Sequence, residues 1–238
     1  MHAIILAAGI GRRLKGAYGP TPKCLLEVGG QSLLERHLQS AARYGLTRVD
    51  LVVGFMKKSI EEALSRIQVD IPVRLLYNPD YLVGNTVSLW AARCCLCCPV
   101  ILMDSDVFYE EAVFNRLVAS PHENCFLMDP RVHSSGEEMM LSAVNGRVIS
   151  IQRGVHEDAE LAGEGVGFVK LSAGAAQELR GIVDQAVLAG RREEEYEVSL
   201  NKLCRSQEMR YENIPGLKWI EIDFPEDVEK ARALAKGM

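Results

Sequence analysis

The chain has 238 residues, 48% of them hydrophobic and 25% charged, with a net charge of −5. This ordinary globular usage excludes a disordered, collagen-like or coiled-coil chain, and without clustered Lys and Arg nucleic acid is not expected as a partner. No apolar run approaches the ~20 residues of a membrane helix, residues 1–6 lack the basic region of a signal peptide, and seven cysteines in a chain this long point to reduced thiols and the cytoplasm.

A short apolar run at 2–7, ending in glycines, reads as the first strand. Ser32-Leu33-Leu34-Glu35 is a capping box opening a helix with Leu33, Leu34, His37, Leu38, Ala41 and Ala42 on one face. A buried strand is expected at 49–53, and a second capping box, Ser59-Ile60-Glu61-Glu62, begins a helix carrying Ala63, Leu64 and Ile67. Residues 73–77 read as a strand, 86–95 as a helix, and 100–103 as a strand ending at Asp104-Ser105-Asp106. This alternation implies a mixed, mostly parallel α/β sheet with helices on both faces, a Rossmann-like architecture.

Further along, Asn145-Gly146 between 140–144 and 147–151 is a type I′ hairpin signal. Residues 166–171 read as a buried strand, 173–189 and 195–207 as helices, 209–214 and 219–222 as strands, and Pro225 opens a closing helix. With no repeat or composition break, 1–238 reads as one α/β domain with a small β-rich insertion. Cys94-Cys95-Leu96-Cys97-Cys98 holds two overlapping C-x-x-C spacings, but no second Cys/His pair follows, so these thiols read as small core side chains.

The segment Leu6-Ala7-Ala8-Gly9-Ile10-Gly11-Arg12-Arg13-Leu14 leaves the first strand as a glycine loop whose backbone can approach phosphate oxygens, with arginines supplying charge. It fails the dinucleotide pattern at Leu14 and lacks the Gly-Lys-Ser/Thr ending of the P-loop. Taken alone, a phosphate loop and a plain turn are both open readings. Pro22-Lys23 and Gly29-Gly30 follow at short distance, and the stretch LAAGIGRRL…TPKCLLEVGGQSLLER resembles the nucleotidyltransferase family of sugar-phosphate nucleotidylyltransferases and molybdopterin guanylyltransferases. The resemblance implies that Leu6, Ala7, Ala8, Gly9 and Gly11 wrap a nucleoside triphosphate while Arg13 and Lys23 contact its phosphates, with Arg12 a bystander or helper.

Asn78-Pro79-Asp80-Tyr81…Gly84-Asn85-Thr86-Val87-Ser88-Leu89-Trp90 resembles a segment of the choline-phosphate and aminoethylphosphonate cytidylyltransferases, with Gly84 standing where that group often has Asn. By that resemblance Gly84, Asn85 and Ser88 line the base pocket, Ser88 offering the side chain. Gly163-Glu164-Gly165-Val166-Gly167-Phe168 and Trp219-Ile220-Glu221-Ile222-Asp223 match two further motifs of the group. Met139-Met140 stands where inositol-phosphate relatives tend to carry lysine, which weakens an inositol-phosphate acceptor.

Asp104 and Asp106 lie at the C-terminal end of a buried strand, where open α/β sheets hold their sites, and alternation aims both carboxylates to one side. If the strand ending at Asp223 meets them, Asp106 and Asp223 can share one Mg²⁺ through hard oxygen ligands. The resemblance assigns the metal there and Asp104 to the nucleotide; a turn-former at Asp104 and a helix cap at Asp223 are the plain alternatives. It implies attack of an acceptor phosphate or phosphonate oxygen on the α-phosphorus of CTP, with Lys23 stabilising charge and Arg13 holding the departing pyrophosphate. That oxygen is already ionised at neutral pH, so no general base is needed. The H-x-G-H pair of the other cytidylyltransferase class is formed by none of His2, His37, His122, His133 or His156.

A choline or aminoethyl cation calls for carboxylates or an aromatic face. Tyr196, Glu197, Trp219 and Glu221 are the expected acceptor residues, with Trp90 and Tyr109 further aromatic candidates. A sugar-1-phosphate or inositol-1-phosphate nucleotidylyltransferase and a non-catalytic nucleotide-binding module are the alternatives, and a homodimer is compatible with the chain.

Overall fold

A computed structural model describes residues 1–131, 136 and 138–238; His133 of the histidine set lies outside them. The chain opens with β1 (His2–Ala7), runs through the glycine loop into the one-turn α1 (Lys15–Tyr18), and takes a 3₁₀ turn at Lys23–Leu25. A hairpin of β2 (Glu27–Val28) and β3 (Gln31–Ser32) leads into α2 (Leu33–Arg43). Ser32 caps that helix, its hydroxyl accepting from the Glu35 amide at 3.1 Å. After β4 (Val49–Val53) comes α3 (Lys57–Leu64), which begins two residues before the expected box. The left-handed Met56 (φ 47°) turns the chain into the helix, so Ser59 falls inside the first turn and caps nothing.

β5 (Val73–Tyr77) precedes α4 (Thr86–Ala91), which gives way to a 3₁₀ turn at Arg93–Cys95 rather than continuing as α-helix. β6 (Val100–Asp104) is followed by three elements absent from the sequence reading: β7 (Val107–Tyr109), α5 (Glu111–Ala119) and β8 (Cys125–Asp129). β9 (Met139–Val144) and β10 (Arg147–Arg153) form the expected hairpin, with positive φ at Asn145 (50°) and Gly146 (71°). The chain closes with β11 (Leu161–Leu171), α6 (Ala173–Leu188), α7 (Glu197–Ser206), β12 (Arg210–Asn213), β13 (Trp219–Glu221) and α8 (Pro225–Ala235).

Strands β5, β4, β1 and β6 run parallel, and the main sheet continues through β11, β9 and β10 by antiparallel pairing. β8 lies against β11 and carries β12 on its far side. The β-rich part is therefore the antiparallel end of the same sheet. Alternation decides where the cores lie: Ile4, Val52 and Leu102 enter one cluster, while Ala3, Ile5, Leu51, Val53 and Met103 enter another on the opposite face. Of the cysteine cluster only Cys95 is fully buried; Cys94, within the 3₁₀ turn, and Cys97, after it, are exposed, so the cluster is not the set of core side chains expected. Among the described residues no helix is long and apolar enough to cross a membrane.

A third, smaller core gathers Leu14, Leu26, Val28, Leu33, Phe108, Ile222, Val228 and Ala231. It ties the end of the glycine loop, the β2–β3 hairpin, β7, β13 and α8 to one another. Phe108 is fully buried there, with the Arg36 guanidinium 4.6 Å over its ring. Phe108→Ala is expected to cost about 3–5 kcal/mol, measured by denaturant unfolding. A loss under ~1 kcal/mol would show that this core does not hold the elements together.

Candidate active site

β13 pairs antiparallel with β7, Glu221 opposite Val107, and the Ile222 amide donates to the Asp106 carbonyl at 3.0 Å. This three-residue ladder brings Asp106 to Glu221 and Asp223, and one carboxylate oxygen from each of the three lies within 4.8 Å of the other two. Asp223 is not the cap of α8. That task falls to Asp227, whose Oδ2 accepts from the amides of Asp223 (3.2 Å) and Phe224 (2.9 Å). The Asp223 carboxylate instead accepts from Lys23 Nζ (2.5 Å) and Arg13 Nη1 (3.3 Å), and Lys23 also donates to Asp106 Oδ2 at 2.8 Å. The Arg13 guanidinium lies 4.7 Å over the Phe224 ring.

The glycine loop, Lys23 and this trio line a cleft of about 510 Å³ that also takes in Leu6, Ala7, Ala8, Gly9, Gly11, Gly84, Asn85, Ser88, Asp104 and Glu197. An adjoining hollow of about 290 Å³ shares Asp104, Glu197, Glu221 and Asp223 and adds Tyr196, Arg153, Phe126 and Phe168. In the far wall, buried Asn78 donates through Nδ2 to Ser88 Oγ at 3.0 Å. Asn85 Oδ1 accepts from the Tyr196 amide (2.7 Å), and Arg192 ion-pairs with Asp80 (2.5 Å), so the segments around 80–85 and 192–197 are docked together. This docking explains Gly84: a Cβ there would come within 2.9 Å of the Arg192 carbonyl oxygen.

Asp104 Oδ2 accepts from the Tyr196 hydroxyl at 2.8 Å, so this carboxylate points into the site rather than into a local turn. Gly167 (φ 78°) makes room for it, since a Cβ would sit 2.7 Å from Asp104 Oδ2. Burial and the neighbouring Glu197, Asp106 and Glu221 hold Asp104 well above the usual carboxylate range. Burial pushes Glu197 up to about 7. Burial and then the Asp106 and Asp223 carboxylates push Glu221 up to about 8, and its side chain still meets solvent along the cleft. Burial opposes charge on Lys23, but Asp106 and Asp223 outweigh it and raise its pKa.

These shifts have a consequence for stability. A carboxylate whose pKa is higher folded than unfolded holds its proton more tightly when folded, so its contribution is full at low pH and is lost as pH rises through the folded value. Burial keeps His2 and His37 below their ordinary value, so they fall silent above pH ~7. The melting temperature of the ligand-free chain is therefore expected to fall from pH 7 to 8.5, following Glu197, Glu221 and Glu164, whose carboxyl burial likewise pushes up to about 7. A rise across that window would contradict the assignment.

The structure thus brings together Lys23, Arg13, Asp104, Asp106, Glu197, Glu221 and Asp223, with Tyr196 in the adjoining hollow. Trp219 lines neither of these two hollows: its indole donates to Asp129 Oδ2 at 2.8 Å and faces a third hollow, with Glu138 and Glu164, that shares Glu221 and Asp223 with the cleft. Trp90 donates to Asp184 (3.0 Å), and Tyr109 is buried in the core against His37 and Phe168, so neither aromatic reaches the cleft. Glu221 as a third member of the carboxylate trio escaped the sequence reading, although its spacing to Asp223 is the same i, i+2 alternation that links Asp104 and Asp106.

A hard divalent cation fits this donor set. Mg²⁺ at a site shared with phosphate oxygens and water takes one or two carboxylates; three converge here, and an ammonium already sits between two of them.

A family model described as MobA-like NTP transferase domain matches residues 3–136. The chain is 34% identical over 122 residues to the CMP-5'-(3-aminopropyl)phosphonate synthase of Streptomyces rubellomurinus, a match covering 51% of this chain and 19% of that longer protein. It is 25% identical over 251 residues to the choline-phosphate cytidylyltransferase of Streptococcus pneumoniae, covering 100% and 99% of the two chains. The solved structure of a CTP:phosphocholine cytidylyltransferase from Streptococcus pneumoniae superposes with a TM-score of 0.82 at 23% identity, covering 98% of each chain, and so shares the fold.

Proposed function

The chain belongs to the MobA-like NTP transferase family, and from that premise we propose that it is a CTP-dependent cytidylyltransferase, joining CMP to a small phosphate or phosphonate acceptor and releasing pyrophosphate. The observation that carries this reading is the convergence of the glycine loop, two cations and three carboxylates on one cleft. A module that only bound nucleotide would need neither the trio nor Lys23 poised against it. The chain works with Mg²⁺, in the cytoplasm.

In this reading the backbone from Leu6 to Gly11 wraps the triphosphate, and Arg13 meets the pyrophosphate end. Gly84, Asn85 and Ser88 flank the base; the Ser88 oxygen accepts from Asn78, which leaves its hydroxyl hydrogen to donate to a pyrimidine acceptor atom. Asp106 and Asp223, with Glu221 beside them, hold the Mg²⁺, whose charge when bound screens the phosphate oxygens. Lys23 neutralises charge gathering at the α-phosphate, and no residue removes a proton because the attacking oxygen is already ionised. Asp104 borders the nucleotide. Tyr196, Glu197 and Glu221 face the acceptor, Glu197 with one buried carboxylate oxygen that has no hydrogen-bond partner among the described residues. Trp219 lies on the third hollow, which reaches the same Glu221 and Asp223 from the other side.

Pyrophosphate release is expected with CTP at a kcat/KM at least ~10-fold above that with GTP or ATP, the size of discrimination a shaped pocket supplies. A screen of the four NTPs against phosphocholine, aminoethylphosphonate, inositol phosphate and a sugar 1-phosphate measures it. Equal turnover with a purine nucleotide would contradict the base-pocket assignment.

A further inference from the structure

We infer that Lys23 and the divalent cation compete for one seat, so that the resting chain excludes the cation until a polyphosphate draws Lys23 away. This rests on the nucleotidyl-transfer reading of the acidic trio.

The Lys23 ammonium donates to Asp106 Oδ2 at 2.8 Å and to Asp223 Oδ1 at 2.5 Å. A cation bound by those same oxygens at ~2.1 Å fills the space between them that Nζ holds. Two positive charges cannot share it. Nor is this a loose surface contact: the Lys23 side chain is 17% exposed, that of Asp106 18% and that of Asp223 35%. Surface ion pairs of long side chains exchange readily and are worth little, whereas a pair mostly withdrawn from water is costly to separate unless each partner gains a replacement.

A polyphosphate in the cleft supplies both replacements. Its oxygens give the ammonium a new anion, and the vacated carboxylates take the metal. Lys23 has a path for this exchange, because its stem lies against Gly11 of the glycine loop, where an added Cβ would meet Lys23 Cγ at 3.0 Å. The ammonium can therefore move from the trio toward the loop by turning its outer bonds while the 3₁₀ turn holds its base. Cation and nucleotide then bind with positive coupling, and by linkage each tightens the other by the same factor. The device keeps the trio from loading with a bare metal ion and commits the cation to cycles in which the nucleotide is present.

The test uses the nucleotide-free full chain and Mn²⁺ alone, free Mn²⁺ being read by electron paramagnetic resonance. Lys23→Met is expected to bind Mn²⁺ at least ~10-fold more tightly than the parent, within the usual span of coupling factors, while Lys23→Arg, which keeps a cation, stays near the parent. Equal or weaker binding in Lys23→Met overturns the inference while leaving the transferase reading in place. If neither the parent with CTP nor any variant holds Mn²⁺, the metal reading of the trio falls and the inference falls with it. Should Lys23→Met fail to fold, the ¹⁵N resonance of the Lys23 ammonium in the parent decides: it is expected to be unmoved by Mg²⁺ alone and shifted by Mg²⁺ with CTP. A shift of the same size under Mg²⁺ alone overturns the inference.

Discussion

Lys23→Ala lowers kcat by roughly 10²-fold or more while the chain keeps its fold, the size expected when one preorganised charge-stabilising group is lost. Lys23 is the cation that bridges Asp106 and Asp223 and the one whose stem runs along the glycine loop. Its removal takes positive charge from the place where the α-phosphate would gain negative charge. The variant also leaves the two carboxylates without their partner, so a shift in melting temperature is expected alongside. Steady-state pyrophosphate release, with circular dichroism as the fold check, separates the two effects. Near-parental turnover would make Lys23 a structural counter-ion and nothing more.

The single substitutions Asp106→Asn and Asp223→Asn each remove most activity, and the double variant loses little more. Both carboxylates grip one ammonium in the resting chain and would grip one metal ion in the loaded one, so the second loss finds the shared interaction already gone. Independent sites would instead multiply, two ~10²-fold losses giving about 10⁴-fold. Glu221 supplies an internal comparison. It belongs to the trio, while the Lys23 ammonium donates to Asp106 and Asp223, so the loss of Glu221 should fall mainly on metal affinity, seen as a higher Mg²⁺ requirement. Multiplying losses in the Asp106/Asp223 pair, measured across a Mg²⁺ titration, would end the shared-seat account.

What the sequence made legible follows from how local each signal is. Ser32 caps α2 and Asn145-Gly146 turns the β9–β10 hairpin because both devices act within four residues. The parallel core could be read because Ile4, Val52 and Leu102 on one face and Ala3, Ile5, Leu51, Val53 and Met103 on the other form near-continuous apolar runs, as strands buried by helices on both sides do. The region 107–129 went unread for the opposite reason. β7 is three residues long, and α5 starts at Glu111 after an N-cap, Glu110, that makes no side-chain capping bond, so neither element carries a local signature. Yet β7 is the element that sets the site, since its ladder with β13 closes the long separation between Asp106 and Asp223. The motif resemblance located those two aspartates. Glu221 as their companion and the resting bond to Lys23 are tertiary facts, created where two short strands meet over the small core around Phe108.

The most direct test of the central claim follows the α-phosphorus itself. The chain is incubated with Mg²⁺, CTP and phosphocholine or aminoethylphosphonate, and the products are resolved by ³¹P NMR. The account predicts a new phosphoanhydride signal joining the α-phosphorus of CTP to the acceptor, together with one pyrophosphate per product. CTP that binds but stays intact with every acceptor, or is cleaved between its β- and γ-phosphorus, would contradict it.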